Sequence, residues 1–114
     1  MGSGRQRLGT VGELLAMRHY QQSGYEVLAR NWRCRSGELD LVVGRGSQIV
    51  FVEVKSRSSL AFGHPAEAVT AAKQQRLRRL AVQWLQHSGC RAVELRFDVV
   101  AVTGGRLEVF EAAF

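Results

Sequence analysis

From Gln48 to Ser56 the chain reads Gln-Ile-Val-Phe-Val-Glu-Val-Lys-Ser, and no other stretch limits its fold as tightly. Alternate side chains of an extended strand face opposite ways. Val50, Val52 and Val54 therefore share one face, and Ile49, Phe51, Glu53 and Lys55 share the other. Both faces are apolar over the first part, a pattern suited to a central strand covered on each side. The expectation is an α/β domain with helices on both faces of a sheet. Glu53 and Lys55 then stand where the apolar face ends, at the mouth of a crevice.

The other elements fall around this strand. Residues 38–43 read as the strand before it, and Gly44-Arg45-Gly46-Ser47 between them has hairpin turn chemistry. Residues 25–30 read as a first strand, followed by a basic loop at 31–35. A helix is predicted over residues 10–23, with Thr10 and Glu13 spaced as a capping box and Gly24 as its stop. Its apolar residues lie on two sides, Leu8, Val11 and Leu15 on one and Ala16, Met17 and Tyr20 with Glu13 on the other. Such a helix is expected to pack on more than one side, and residues 1–7 are expected to form a flexible basic arm. Beyond the hairpin come a loop through Phe62-Gly63-His64-Pro65 and a second helix over 66–87, with Gly89 past its end. An alternating strand at 92–102 turns through Thr103-Gly104-Gly105-Arg106 into a last strand at 107–110. The order is αβββαββ. Three consecutive strands form an antiparallel meander, and the second helix crosses to the fourth, giving a mixed sheet.

A length of 114 residues fits one domain spanning 1–114, and 46% hydrophobic with 23% charged residues marks a globular chain, not a disordered one. The net charge of +6 favours a polyanionic partner, because neutralised phosphates release condensed counterions. Fourteen of the sixteen basic residues are arginine. The exceptions, Lys55 and Lys73, mark positions where a compact, rotatable ammonium is wanted. Cys34 and Cys90 are too few for a disulfide scaffold or a four-ligand zinc site, so free thiols are expected. No run approaches the roughly 20 apolar residues that span a bilayer. The expected protein is cytoplasmic, with no membrane partner.

Pairing the hairpin strands about a turn centred on Arg45 and Gly46 sets Val43 opposite Gln48, Asp40 opposite Phe51 and Glu38 opposite Glu53. Glu38, Asp40, Glu53 and Lys55 then converge on one face. Asp40 and Glu53 become diagonal neighbours, roughly 7–8 Å apart at the backbone. Clustered carboxylates repel and raise their own pKa values, so a positive charge must offset them. Lys55 supplies one, and a divalent cation supplies more. Few, hard oxygen ligands suit Mg2+ or Mn2+ better than zinc. A salt-bridged polar patch on the open face of a sheet is the competing reading.

Gly37-Glu38-Leu39-Asp40-Leu41 followed by Phe51-Val52-Glu53-Val54-Lys55 resembles the core of the PD-(D/E)XK nuclease superfamily. The whole chain is similar to the YraN-like family of small bacterial proteins. Gly12-Glu13, Arg30-Asn31-Trp32-Arg33-Cys34-Arg35, Phe62-Gly63-His64-Pro65, Lys73-Gln74 and Arg96-Phe97-Asp98-Val99-Val100 carry the match. The resemblance implies a restriction-endonuclease-like fold, Asp40 and Glu53 as metal ligands, and Lys55 as the catalytic lysine. Glu13 matches the first-helix glutamate of archaeal Holliday-junction resolvases of this fold. The proline of the superfamily's name is absent, since Leu39 precedes Asp40.

Around this centre, Lys73 shares a helix face with Leu77, Leu80 and Trp84 and is expected to point inward, toward a phosphate. Gln74 lies at the edge of that face. Arg76 and Arg79 lie on the solvent side with Arg78 at a flank, and with Arg33 and Arg35 they are candidates for nucleic-acid binding. Trp32 is either a base-stacking residue or a loop anchor, and Trp84 is core. His19, His64 and His87 have no metal-ligand spacing, and Asp98 is expected in a structural ion pair. The function these residues support is a metal-dependent endonuclease acting on DNA in preference to RNA. The resolvase resemblance points to branched substrates and to a homodimer, because a junction needs two active sites. The alternatives are a nucleic-acid-binding module without turnover and an RNA-processing nuclease.

Overall fold

The computed structural model describes the backbone of residues 4–57 and 69–114 and the side chains of residues 11–56 and 69–114. The elements are α1 (Gly4–Gln22), β1 (Glu26–Cys34), β2 (Gly37–Arg45), β3 (Gln48–Arg57), α2 (Ala71–Ser88), β4 (Glu94–Thr103) and β5 (Arg106–Phe110). This is the expected α/β order αβββαββ. The strands form one five-stranded sheet in chain order, antiparallel at every pairing except β3 with β4. A parallel pair requires a long crossover, which the segment containing α2 supplies.

β3 is central and covered on both faces, as its composition demands. Ile49 and Phe51 pack with Leu77, Leu80, Ala81 and Trp84 of α2. Val50 and Val52 pack with Ala16 and Tyr20 of α1. Each helix thus holds one side of the sheet, and no described helix is long and apolar enough to cross a membrane.

Several boundaries differ from expectation. α1 begins at Gly4, so Thr10 lies inside the helix and is not its cap. No proline interrupts residues 4–9 and most of them are good helix formers, so the helix takes in residues that were expected in a flexible arm. Among its described side chains the helix buries Gly12, Ala16 and Tyr20, while Val11 is 52% exposed. β1 continues through most of the expected basic loop. The far half of β2 offers partners there, in the pairs Trp32↔Leu39, Arg33↔Glu38 and Cys34↔Gly37. α2 starts at Ala71, where the Thr70 hydroxyl accepts the Lys73 N–H at 3.3 Å, and ends as expected on left-handed Gly89, φ 72°. Phe62-Gly63-His64-Pro65, His64 with it, and the expected start of the second helix at 66–68 lie outside the described residues.

The hairpin register is also corrected. Arg45 pairs with Gln48, leaving only Gly46 and Ser47 in the turn, with Gly46 at φ 60°. A tight two-residue turn led by a left-handed glycine matches the twist of the strands better than the four-residue loop. Leu41 therefore faces Val52, Val42 faces Phe51 and Val43 faces Val50. Each pairing is displaced by two residues from the expected one. A shift of two keeps Leu41, Val42 and Val43 on their expected faces, so their burial pattern survives.

Candidate functional site

The β2–β3 ladder ends at Leu41↔Val52. One residue further along each strand stand Asp40 and Glu53, side by side and not diagonal as the expected register had them. Asp40 Oδ2 accepts a hydrogen bond from the Val54 backbone N–H at 2.9 Å. The carboxylate thus takes an N–H that a backbone carbonyl would otherwise accept. On β3, Lys55 Nζ lies 3.7 Å from Glu53 Oε1, with both side chains largely shielded, 26% and 20% exposed.

Burial pushes the Asp40 carboxyl up to about 7, and the adjacent Glu53 carboxylate adds to the rise, while the Val54 N–H opposes it. Glu13 comes from α1. Gly12 lets that helix touch the sheet, since a Cβ there would overlap Ser56 Oγ and lie 3.5 Å from Val54 Cγ1. Burial also raises the Glu13 carboxyl, and the charges of Asp40 and Glu38 add to the rise; the Asn31 amide opposes it. These mutual influences place Glu13, Glu38, Asp40 and Glu53 in one electrostatic cluster, with Lys55 as its ammonium. Glu38 stands at the rim, where Arg33 Nε lies 3.2 Å from its Oε2. That cross-strand pair follows from the extension of β1.

Among the described residues no three His, Cys, Asp or Glu side chains converge tightly enough to hold an ion unaided. The donor set to be judged is therefore the Asp40–Glu53 pair. Two hard carboxylates that repel each other in a shielded site fit Mg2+ or Mn2+, which commonly bind through one or two carboxylates and keep water and phosphate as remaining ligands.

The basic candidates lie at the β1–β2 turn and on α2. Arg33 and Arg35 are exposed at the β1–β2 turn, and Arg76 and Arg79 are exposed on α2. The turn and the helix abut, since Gly37 packs against Leu80 and the Arg76 stem. Cys34 donates to Gln83 Oε1 and Gln83 donates to Ser36 Oγ, each at 3.0 Å, which fastens the turn to α2. Arg78 lies over the Phe97 and Phe114 rings. Lys73 is exposed, contrary to the inward position expected for it. With α2 starting at Ala71, Lys73 falls in the first turn, where its backbone serves the Thr70 cap and the buried stripe has not yet begun. The Gln74 amide donates to the Val69 carbonyl at 3.0 Å. Trp32 packs against the core and the His87 ring, and both cysteines are free.

Asp98 forms the expected ion pair and is fully buried. Arg96 grips it with Nε at 2.8 Å and Nη2 at 2.9 Å; the Tyr20 hydroxyl donates at 2.6 Å and the Ala112 N–H at 3.0 Å. This network ties α1, β4 and the C-terminal segment together. The residue whose role the sequence reading missed is Asn31. Its signal was an asparagine among arginines in a run read as loop, and asparagine tolerates left-handed backbone.

The model of the Uncharacterised protein family UPF0102 matches residues 12–102. A UPF0102 protein of Beutenbergia cavernae is 59% identical over 95 residues, covering 83% of this chain and 80% of its own. One of Rhodococcus jostii is 53% identical over 98 residues, covering 86% and 83%. One of Acidothermus cellulolyticus is 46% identical over 127 aligned positions, covering 98% and 96%. With a matching family model over most of its length and relatives at these identities, the chain belongs to the UPF0102 family, the YraN-like family its motifs resemble.

Proposed function

We propose that this protein is a Mg2+- or Mn2+-dependent endonuclease that hydrolyses phosphodiester bonds in DNA. The observation that carries the reading is the shielded Asp40–Glu53 pair with Lys55 beside it. In a purely structural patch, burying two adjacent carboxylates is a cost without return, whereas functional sites commonly hold such perturbed groups. Asp40 and Glu53 would hold the cation, with Glu38 adding negative potential at the rim. When bound, the ion supplies Lewis-acid polarisation of a phosphoryl oxygen and acidifies its water.

The remaining steps fall to the chain itself. Lys55, held by Glu53, presents an ammonium that can orient the attacking water or stabilise charge developing on the phosphate oxygens. Glu13, whose carboxyl holds its proton more tightly than a free glutamate, would exchange a proton at the same centre. The exposed Arg33, Arg35, Arg76 and Arg79, with Lys73, would hold the backbone phosphates of a polyanion. The net charge of +6 would draw that polyanion in. DNA in a branched or structured form is the proposed substrate, by analogy of fold.

The test is cleavage of labelled linear, flapped and four-way DNA with Mn2+, comparing wild type with Asp40→Asn and Lys55→Ala. Cutting by wild type that both variants lose supports the enzyme. Binding without cutting, in either metal, supports the module without turnover. Efficient competition by matched RNA would shift the substrate class.

A further inference from the structure

Two adjacent strands change face at the same level. On β2, Leu39 packs on the α2 side and Leu41 on the α1 side. On β1, Ala29 and Trp32 both pack on the α2 side. A regular strand does neither, since residues two apart share a face and residues three apart do not. The breaks coincide, falling between the ladder pairs Arg30↔Leu41 and Trp32↔Leu39. The residues at that level are Asn31 and Asp40. The β-bulge on β1, between Val27 and Ala29, sets Leu28 and Ala29 on the same side; it lies before the Arg30↔Leu41 pair and does not account for the change of face at Trp32↔Leu39.

Asn31 has φ 50°, the left-handed region. A left-handed residue within a strand reverses the alternation locally, and Asn adopts it more readily than other residues with a side chain. Because both strands turn together, their ladder stays in register while the Asp40 carboxylate swings toward β3. There it captures the Val54 N–H at 2.9 Å.

We infer that Asn31 is the positioning residue of the site: its left-handed backbone turns Asp40 out of the β2 face pattern and into the gap beside Glu53. The side-chain amide has a second task, lying against Glu13 and favouring its ionised form. The link to catalysis rests on the proposed nuclease reading, whereas the link to Asp40's placement does not.

The experiment compares wild type, Asn31→Gly and Asn31→Ala by hydrogen exchange at the Val54 amide, with Leu41 and Val52 as controls, and by DNA cleavage with Mn2+. Glycine keeps the left-handed backbone and alanine resists it. Asn31→Ala should speed Val54 exchange about tenfold with the control amides unmoved, and Asn31→Gly should stay within about threefold of wild type. In cleavage, Asn31→Ala should lower kcat with KM for DNA unchanged, and Asn31→Gly should lie between Asn31→Ala and wild type, because it keeps the left-handed backbone but lacks the amide at Glu13. Unchanged Val54 exchange in Asn31→Ala overturns the inference, whatever the activity. Faster exchange in a protein that never cuts DNA, wild type included, upholds the positioning role and removes the nuclease reading.

Discussion

Asp40 is the residue where the proposed function and stability oppose each other most directly. In the folded chain its carboxyl stays protonated up to about pH 7, whereas an unfolded aspartate ionises near ~3.9. Between those values the folded state binds more protons, so stability is highest below the window and falls as pH rises through it, by a few kcal/mol in total. Asp40→Asn removes the penalty and keeps an oxygen for the Val54 N–H. Urea denaturation should find the variant no more stable than wild type below the window, near pH ~3, but increasingly more stable as pH rises to 8, and cleavage should be abolished. Added Mn2+ should raise the wild-type melting temperature at pH 8 and leave the variant's unmoved. Asp98 is the contrasting case, a buried charge with every bond satisfied. Asp98→Ala strands Arg96 and the Tyr20 hydroxyl, with an expected cost of about 3–5 kcal/mol in chemical denaturation.

At the scale of elements, the site depends on where helices and strands stop. The Thr70 hydroxyl holds the first turn of α2 through the Lys73 N–H, so Thr70→Ala should cost about 1 kcal/mol. A thermal melt of the variant beside wild type checks this. Gly12 sets how closely α1 meets β3, with Ser56, Val54 and Val102 all within 4 Å of a would-be Cβ. Gly12→Val should cost about 1–3 kcal/mol by overpacking and lift Glu13 away from Asp40. Cleavage should therefore fall at temperatures where circular dichroism still reports a folded protein. Periodicity could foresee neither feature. The cap depends on which of several possible starts α2 adopts, and the value of Gly12 lies in a strand more than forty residues away.

For the whole molecule, the proposed function has the basic excess and the arginines at the β1–β2 turn and on α2 acting together. If these arginines bind phosphates, each charge removed should weaken DNA binding to a similar degree on every sequence. It should also flatten the plot of log affinity against log salt by about one unit. Fluorescence anisotropy of Arg33→Ala, Arg35→Ala and Arg76→Ala across a salt series measures both. Arg78→Ala, whose guanidinium lies over Phe97 and Phe114, should lose stability as well as charge.

Resemblance contributed Glu13; taken by itself, the sequence determined the element order, the central strand covered on both faces, the hairpin, and the candidates Asp40, Glu53 and Lys55. These are local properties: a period of two, a turn of glycines, an apolar run broken by an acid and a lysine. The tertiary structure decided the register, the side-by-side meeting of Asp40 with Glu53, the pairing of Glu38 with Arg33, and the exposure of Lys73. It also decided the turn of both strands at Asn31. The hydrophobic pattern cannot distinguish registers that differ by two residues, because both bury the same side chains. That choice belongs to the turn at Gly46 and to the neighbouring strands, whose contacts form only when the chain has folded.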